Sequence, residues 1–111
     1  MPAIIEEQKR APRLITSLSV AVLEGMAHYV EETENVSSTG LCLLPKMVFP
    51  VGSHLHLVFG RPPELPAITA EGIVRWSEGE KGVGVEFISM SEDDHQALLK
   101  FVESQSRREQ A

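Results

Sequence analysis

The sequence predicts a mainly β protein, a small antiparallel β-barrel with a C-terminal α-helix. Three observations carry that reading. Six or seven short extended segments follow one another at close spacing, separated by Gly, Pro and Asn. Helical spacing of apolar residues occurs only in the last stretch of the chain. With 111 residues, 42% hydrophobic and 23% charged, the chain has the size and composition of one ordinary globular domain with its own core. It is too short for a two-domain enzyme with a cleft between halves. Closing the sheet on itself removes most of the unpaired edges that so many strands would expose.

Each element has its own signal. Residues 1–13 are polar and mixed, with Pro2 and Pro12, and read as a flexible N-terminal arm; residues 14–107 read as the barrel with its terminal helix. Leu14–Val22 alternates, with Leu14, Thr16, Leu18, Val20 and Val22 on one face, as a half-buried strand does. Glu24-Gly25 suits a hairpin turn, and Met26–Glu34 continues extended. Asn35–Gly40 reads as a loop of small polar residues, and Leu41–Leu44 as a short strand closed by Pro45. His54–Phe59 alternates again, and Gly60–Pro66 is a proline-stiffened loop. Ala67–Trp76 is a strand with a bulge expected at Gly72. A turn at Ser77–Gly82 leads to a last strand, Val83–Ile88. Ser91 then caps a helix running from about Glu92 to Ser106, with acids in its first turn where the macrodipole favours them.

The charge is acidic, a formal −6 with a pI near 5.1. That balance, with only four Phe, one Tyr and one Trp, argues against a nucleic-acid binder, which needs cations for phosphates and aromatic rings for bases. Residues 1–13 carry three basic and two acidic residues, and the remainder seven against fourteen. No Lys or Arg lies between Arg13 and Lys46, so an anion held near the first half must rely on the cluster Lys9–Arg13. The single cysteine, Cys42, excludes an internal disulfide. The N-terminus lacks a signal core, and no apolar run reaches membrane-spanning length. The expectation is a cytoplasmic protein without membrane insertion.

No motif looks catalytic. There is no nucleophile elbow, phosphate-cradling glycine loop or metalloprotease helix. His54 and His56 share one strand face but lack the further ligands a metal site needs, so they read as solvent-facing. Cys42, flanked by Leu41 and Leu43, reads as a buried inert thiol. Glu31, Glu32 and Glu34 read as a solvated strand face. Two segments remain: Lys9-Arg10-Ala11-Pro12-Arg13, and Asn35-Val36-Ser37-Ser38-Thr39-Gly40. Alone, each is an ordinary charged terminus or a surface turn.

Together they resemble the paired motifs of the PilZ domain family, R-x-x-x-R before the first strand and [DN]-x-S-x-x-G after the second. Asn35, Ser37 and Gly40 match the second motif at every specified position. Lys9 and Arg13 fall on the first, with Lys9 in place of the leading arginine. Glu71-Gly72-Ile73-Val74-Arg75-Trp76 and Gly82-Val83-Gly84-Val85-Glu86-Phe87 look like two further strands of the family, and the likeness spans about residues 8–103. It implies a six-stranded antiparallel PilZ-type barrel with a C-terminal helix, which receives the bacterial second messenger cyclic di-GMP and uses no cofactor. The implied ligand contacts are Lys9, Arg10, Arg13, Asn35, Ser37 and Gly40. A guanidinium fork matches the O6 and N7 acceptors of guanine, stacks on a base and grips phosphate. Asn35 and Ser37 offer short polar groups, and Gly40 lets ligand or backbone approach closely.

Lysine at position 9 cannot make the fork or the stack. Loss of one such charge-assisted bond costs about 1.5–3 kcal/mol, roughly ten- to a hundredfold in affinity. Arg10 is the available substitute. The leading expectation is therefore a stand-alone cyclic di-GMP receptor, not an enzyme, which passes its signal to an unidentified protein effector. The alternative is a PilZ protein–protein adaptor without the nucleotide, as in motility.

Overall fold

The computed structural model describes residues 2–3, 12–45 and 47–110. The strands are β1 (Pro2–Ala3), β2 (Leu14–Ile15), β3 (Ser19–Glu24), β4 (Ala27–Val36), β5 (Gly40–Leu44), β6 (His54–Arg61), β7 (Leu65–Ser77) and β8 (Val83–Ser91). A single 3₁₀ turn, Gly79–Lys81, joins β7 to β8, and helix α1 covers Glu92–Gln110. All pairings are antiparallel. Strands run in the order β8, β5, β4, β3, β6, β7, and β7 pairs back onto β8. That ring is a closed six-stranded antiparallel barrel, the fold class expected. The two-residue β2 continues the line of β3 along β4, and β1 adds to the free side of β8, with Pro2 opposite Ser91.

Alternation drives closure. Along β6, Leu55, Leu57 and Phe59 are buried while His54, His56 and Val58 face out. Val20 and Val22 do the same on β3, and Ile68, Ala70 and Val74 on β7. Each large aliphatic side chain fully withdrawn from water contributes about 1.5–3 kcal/mol. Phe59 and Phe87 stack inside the barrel with centroids 5.8 Å apart. Leu98, Phe101 and Val102 on α1 join this core. The helix starts where the sequence predicts: the Asp94 amide donates to the Ser91 hydroxyl at 3.1 Å, and the Thr69 amide donates to the Asp94 carboxylate at 3.0 Å. The expected bulge at Gly72 is present, as a register shift between Glu71 and Gly72.

Several boundaries differ. The single strand expected over Leu14–Val22 is broken between β2 and β3. There the Leu18 amide donates to Thr33 Oγ1 at 2.9 Å, and that hydroxyl donates to the Thr16 carbonyl at 2.6 Å. A side chain has replaced a rung of the ladder. The loop expected over Asn35–Gly40 shrinks to three residues, 37–39. Asn35 and Val36 still belong to β4, since Val36 is fully buried and paired with both Leu14 and Leu41. Strands also intrude into the loop expected over Gly60–Pro66, leaving only Pro62–Glu64 as the turn. The last strand and the helix are longer than expected, reaching Ser91 and Gln110. Glu31 is not solvated: it is 2% exposed. The pleat of β4 sends Tyr29, Glu31 and Thr33 inward and leaves Glu32 and Glu34 outside. Lys9 and Arg10 lie outside the described residues.

Candidate functional site

Pairing of Leu14 with Val36 and of Ile15 with Asn35 brings the residue just before β2 to the end of β4. Arg13 therefore meets Asn35, and its Nη1 donates to Asn35 Oδ1 at 2.8 Å. The two motifs are thus in direct contact through these residues. The turn that follows β4 is held from within. The Ser37 amide donates to the Gly40 carbonyl at 2.8 Å, and the Thr39 amide donates to Ser37 Oγ at 3.2 Å. Ser37 Oγ also reaches the Gly40 carbonyl at 3.3 Å, and Ser37 is 0% exposed. Its hydroxyl shapes the turn. The Phe87 amide donates to the Thr39 carbonyl at 2.9 Å and ties the turn to β8. Gly40 is required by packing: a Cβ there would collide with the Val85 carbonyl of the neighbouring strand.

From Asn35 a row of outward positions crosses the sheet through Cys42 and Gly84 to Trp76. Gly84 has no side chain, and the Trp76 indole occupies the space that a Cβ would need. Strict alternation would send Arg75 and Trp76 to opposite faces. A second register shift, between Val74 and Trp76, changes this. Val74 is buried and the next two residues both emerge on the outside. Arg75 Nε then donates to Glu86 Oε1 at 2.6 Å.

These pieces surround one surface concavity of about 580 Å³, lined by Arg13, Thr39, Gly40, Arg75, Trp76, Gly84, Val85 and Glu86. Its size lies within the roughly 300–1,000 Å³ of small-molecule sites. Two guanidinium groups and one carboxylate meet there with an indole that is 41% exposed. An anion with a flat ring finds both charge and a stacking plane. Cys42 lies below this surface, 5% exposed as expected. Burial and the charge of Glu34 push its thiol upward, against the opposing pull of Arg13 and the Val83 amide. The thiol is neutral at physiological pH and makes a poor nucleophile.

Of the residues singled out from sequence, Arg13 and Gly40 line this concavity, Asn35 holds the Arg13 guanidinium, and Ser37 supports the turn. Sequence reasoning missed Thr39, Arg75, Trp76 and Glu86 as site residues. A signal existed, in the Arg75-Trp76 pair ending a strand and in the glycines at 82 and 84, but alternation hid its meaning. His54 and His56 face solvent on another part of the barrel, 3.5 and 3.8 Å from Glu71. Among the described residues no cluster of His, Cys, Asp or Glu is arranged to hold a metal.

The family model of the PilZ domain matches residues 7–104. This chain belongs to the PilZ domain family. The PilZ match takes in both motifs and every barrel strand. The solved structure of the Bacillus subtilis inhibitor of motility (MotI/DgrA) is similar to this PilZ chain, with a TM-score of 0.82 and 20% identity. The likeness covers 96% of this chain and 55% of that one, so the PilZ chain spans about half the length of its structural neighbour. At that identity it shows the shared fold. No curated protein sequence matches the chain. No helix among the described residues is long and apolar enough to cross a membrane.

Proposed function

We propose that this protein is a receptor for cyclic di-GMP, bound over the concavity beside the β4–β5 turn, and that it relays the signal to a protein partner. The observation that carries this reading is the meeting of Arg13, which Asn35 holds, with the Gly40 turn, Arg75 and Trp76 around one opening. Membership of the PilZ family supports the nucleotide. The chemistry agrees with it: guanine presents O6 and N7 as adjacent acceptors to an arginine fork, and the dianionic phosphate ring needs cations. Arg13 grips the ligand while Asn35 holds the guanidinium in place. Ser37 and Gly40 set the turn, and Thr39 brings a hydroxyl to its rim. Lys9 and Arg10 supply the remaining positive charge of the first motif, with Lys9 as the weaker member. Binding at this place changes the surface offered to the partner. No step of this function requires catalysis.

Calorimetric titration with cyclic di-GMP tests the reading, with cyclic di-AMP as the control. Saturable heat with the guanine ligand alone is expected, because adenine replaces the O6 acceptor by a donor. Arg13→Ala should weaken binding by about 1.5–3 kcal/mol, roughly ten- to a hundredfold. Lys9→Arg should tighten it about tenfold by restoring the planar fork. A wild-type protein that takes up no cyclic di-GMP overturns the receptor reading and leaves the nucleotide-free adaptor.

A further inference from the structure

Arg75 and Glu86 have no place in either motif, yet both line the concavity. The strand bulge after Val74 is what puts Arg75 on the same face as Trp76. Glu86 engages Arg75 through Nε at 2.6 Å. A guanidinium has five N–H donors; with Nε used, the paired Nη groups are left to point elsewhere. A carboxylate bound on one side also removes much of the rotational freedom of a long side chain, so less entropy is lost when the other side binds. Glu86 itself sits opposite Gly40 across β5 and β8, so the ion pair stands next to the motif turn.

We infer that Arg75, held by Glu86, is a second guanidinium of the ligand clasp, on the side of the concavity that β7 and β8 form. The inference rests on the receptor reading above and assigns to that site one binding residue and one positioning residue. Arg75 contacts the guanine edge or the phosphate through its Nη groups. Glu86 touches no ligand and acts by aiming Arg75. The bulge between Val74 and Trp76 is then a site-building device, since it delivers cation and aromatic plane side by side from consecutive residues.

The two roles separate in one set of titrations. Arg75→Ala and Arg75→Lys should each weaken cyclic di-GMP binding at least tenfold, because lysine keeps the charge but lacks the fork. Glu86→Ala gives the sharper test. Charge counting alone says that deleting a carboxylate beside a dianion's site tightens binding. Positioning says the reverse: Glu86→Ala should weaken binding severalfold, and Glu86→Gln, which keeps an acceptor for Nε, should recover most of the loss. Circular dichroism checks that each variant keeps the barrel. Normal binding by Arg75→Lys, or equal or tighter binding by Glu86→Ala, overturns the inference while the receptor reading stands. A wild type that does not bind overturns both.

Discussion

Trp76 depends on a residue that contributes no side-chain atom. The indole lies across Gly84, and a methyl group at that position would occupy the same space as the ring. Two glycines serve the site by absence: Gly40 admits the neighbouring Val85 carbonyl, and Gly84 admits the indole. The consequence at position 84 is measurable, since Trp76 is the only tryptophan in the chain. Gly84→Ala should lift the ring into solvent, shift its emission to the red and weaken cyclic di-GMP binding about tenfold, the loss of one base-stacking contact of 1–3 kcal/mol. An unchanged spectrum would mean that the ring is not seated as described. The barrel should persist, because Gly84 points outward from the core.

Among the elements, the junction of β2 and β3 has the largest consequence for the site. Sequence alternation runs through it without a break, yet the ladder is interrupted by the Thr33 hydroxyl, which joins the Leu18 amide to the Thr16 carbonyl. Arg61 reinforces the same junction, donating through Nη2 to Thr16 Oγ1 at 2.7 Å and to the Ser17 carbonyl at 2.8 Å. The short strand so created carries Arg13 to Asn35. Thr33→Val keeps the shape and removes the hydroxyl, so a buried amide and a carbonyl lose their partner at a cost of about 1–3 kcal/mol. In urea the midpoint should fall with an unchanged slope, the mark of lost stability without a change in compactness. Binding should weaken in the same variant, because β2 sets the place of Arg13. A midpoint equal to that of the wild type would show that the hydroxyl bridge is not structural.

For the whole molecule, ring closure means that one end of the barrel cannot move alone. The site draws on β4, β5, β7 and β8, and on the segment before β2; these elements share a single core with α1. A ligand that binds the folded form alone stabilises the entire domain. At a hundredfold excess over Kd the gain is about 2.7 kcal/mol. For a domain near this size that raises the melting midpoint by on the order of 10 °C. Thermal denaturation with cyclic di-GMP should show this rise, and cyclic di-AMP should not. A midpoint that fails to move at saturating nucleotide would separate the ligand from the folded barrel.

The residues alone determined the class of fold and the succession of strands and terminal helix along the chain; the two motifs were legible only through their resemblance to the PilZ family. The fold class and that succession follow from local periodicity, turn chemistry and spacing, all of which are written along the chain. Leu55, Leu57 and Phe59 point inward because a pleat has a period of two, and Ser91 caps α1 because its hydroxyl accepts the free amide of Asp94. What only the tertiary structure decided is where that period fails. The Thr33 bridge, the shift between Thr33 and Asn35, and the bulge at Arg75 all arise from a curved sheet closing on itself, which no single strand specifies. Glu31 was placed inside the barrel by the phase of β4 against its neighbours. Arg75 and Trp76 joined Arg13 for the same reason: residues more than sixty positions apart became neighbours when β7 met β8 and β8 met β5.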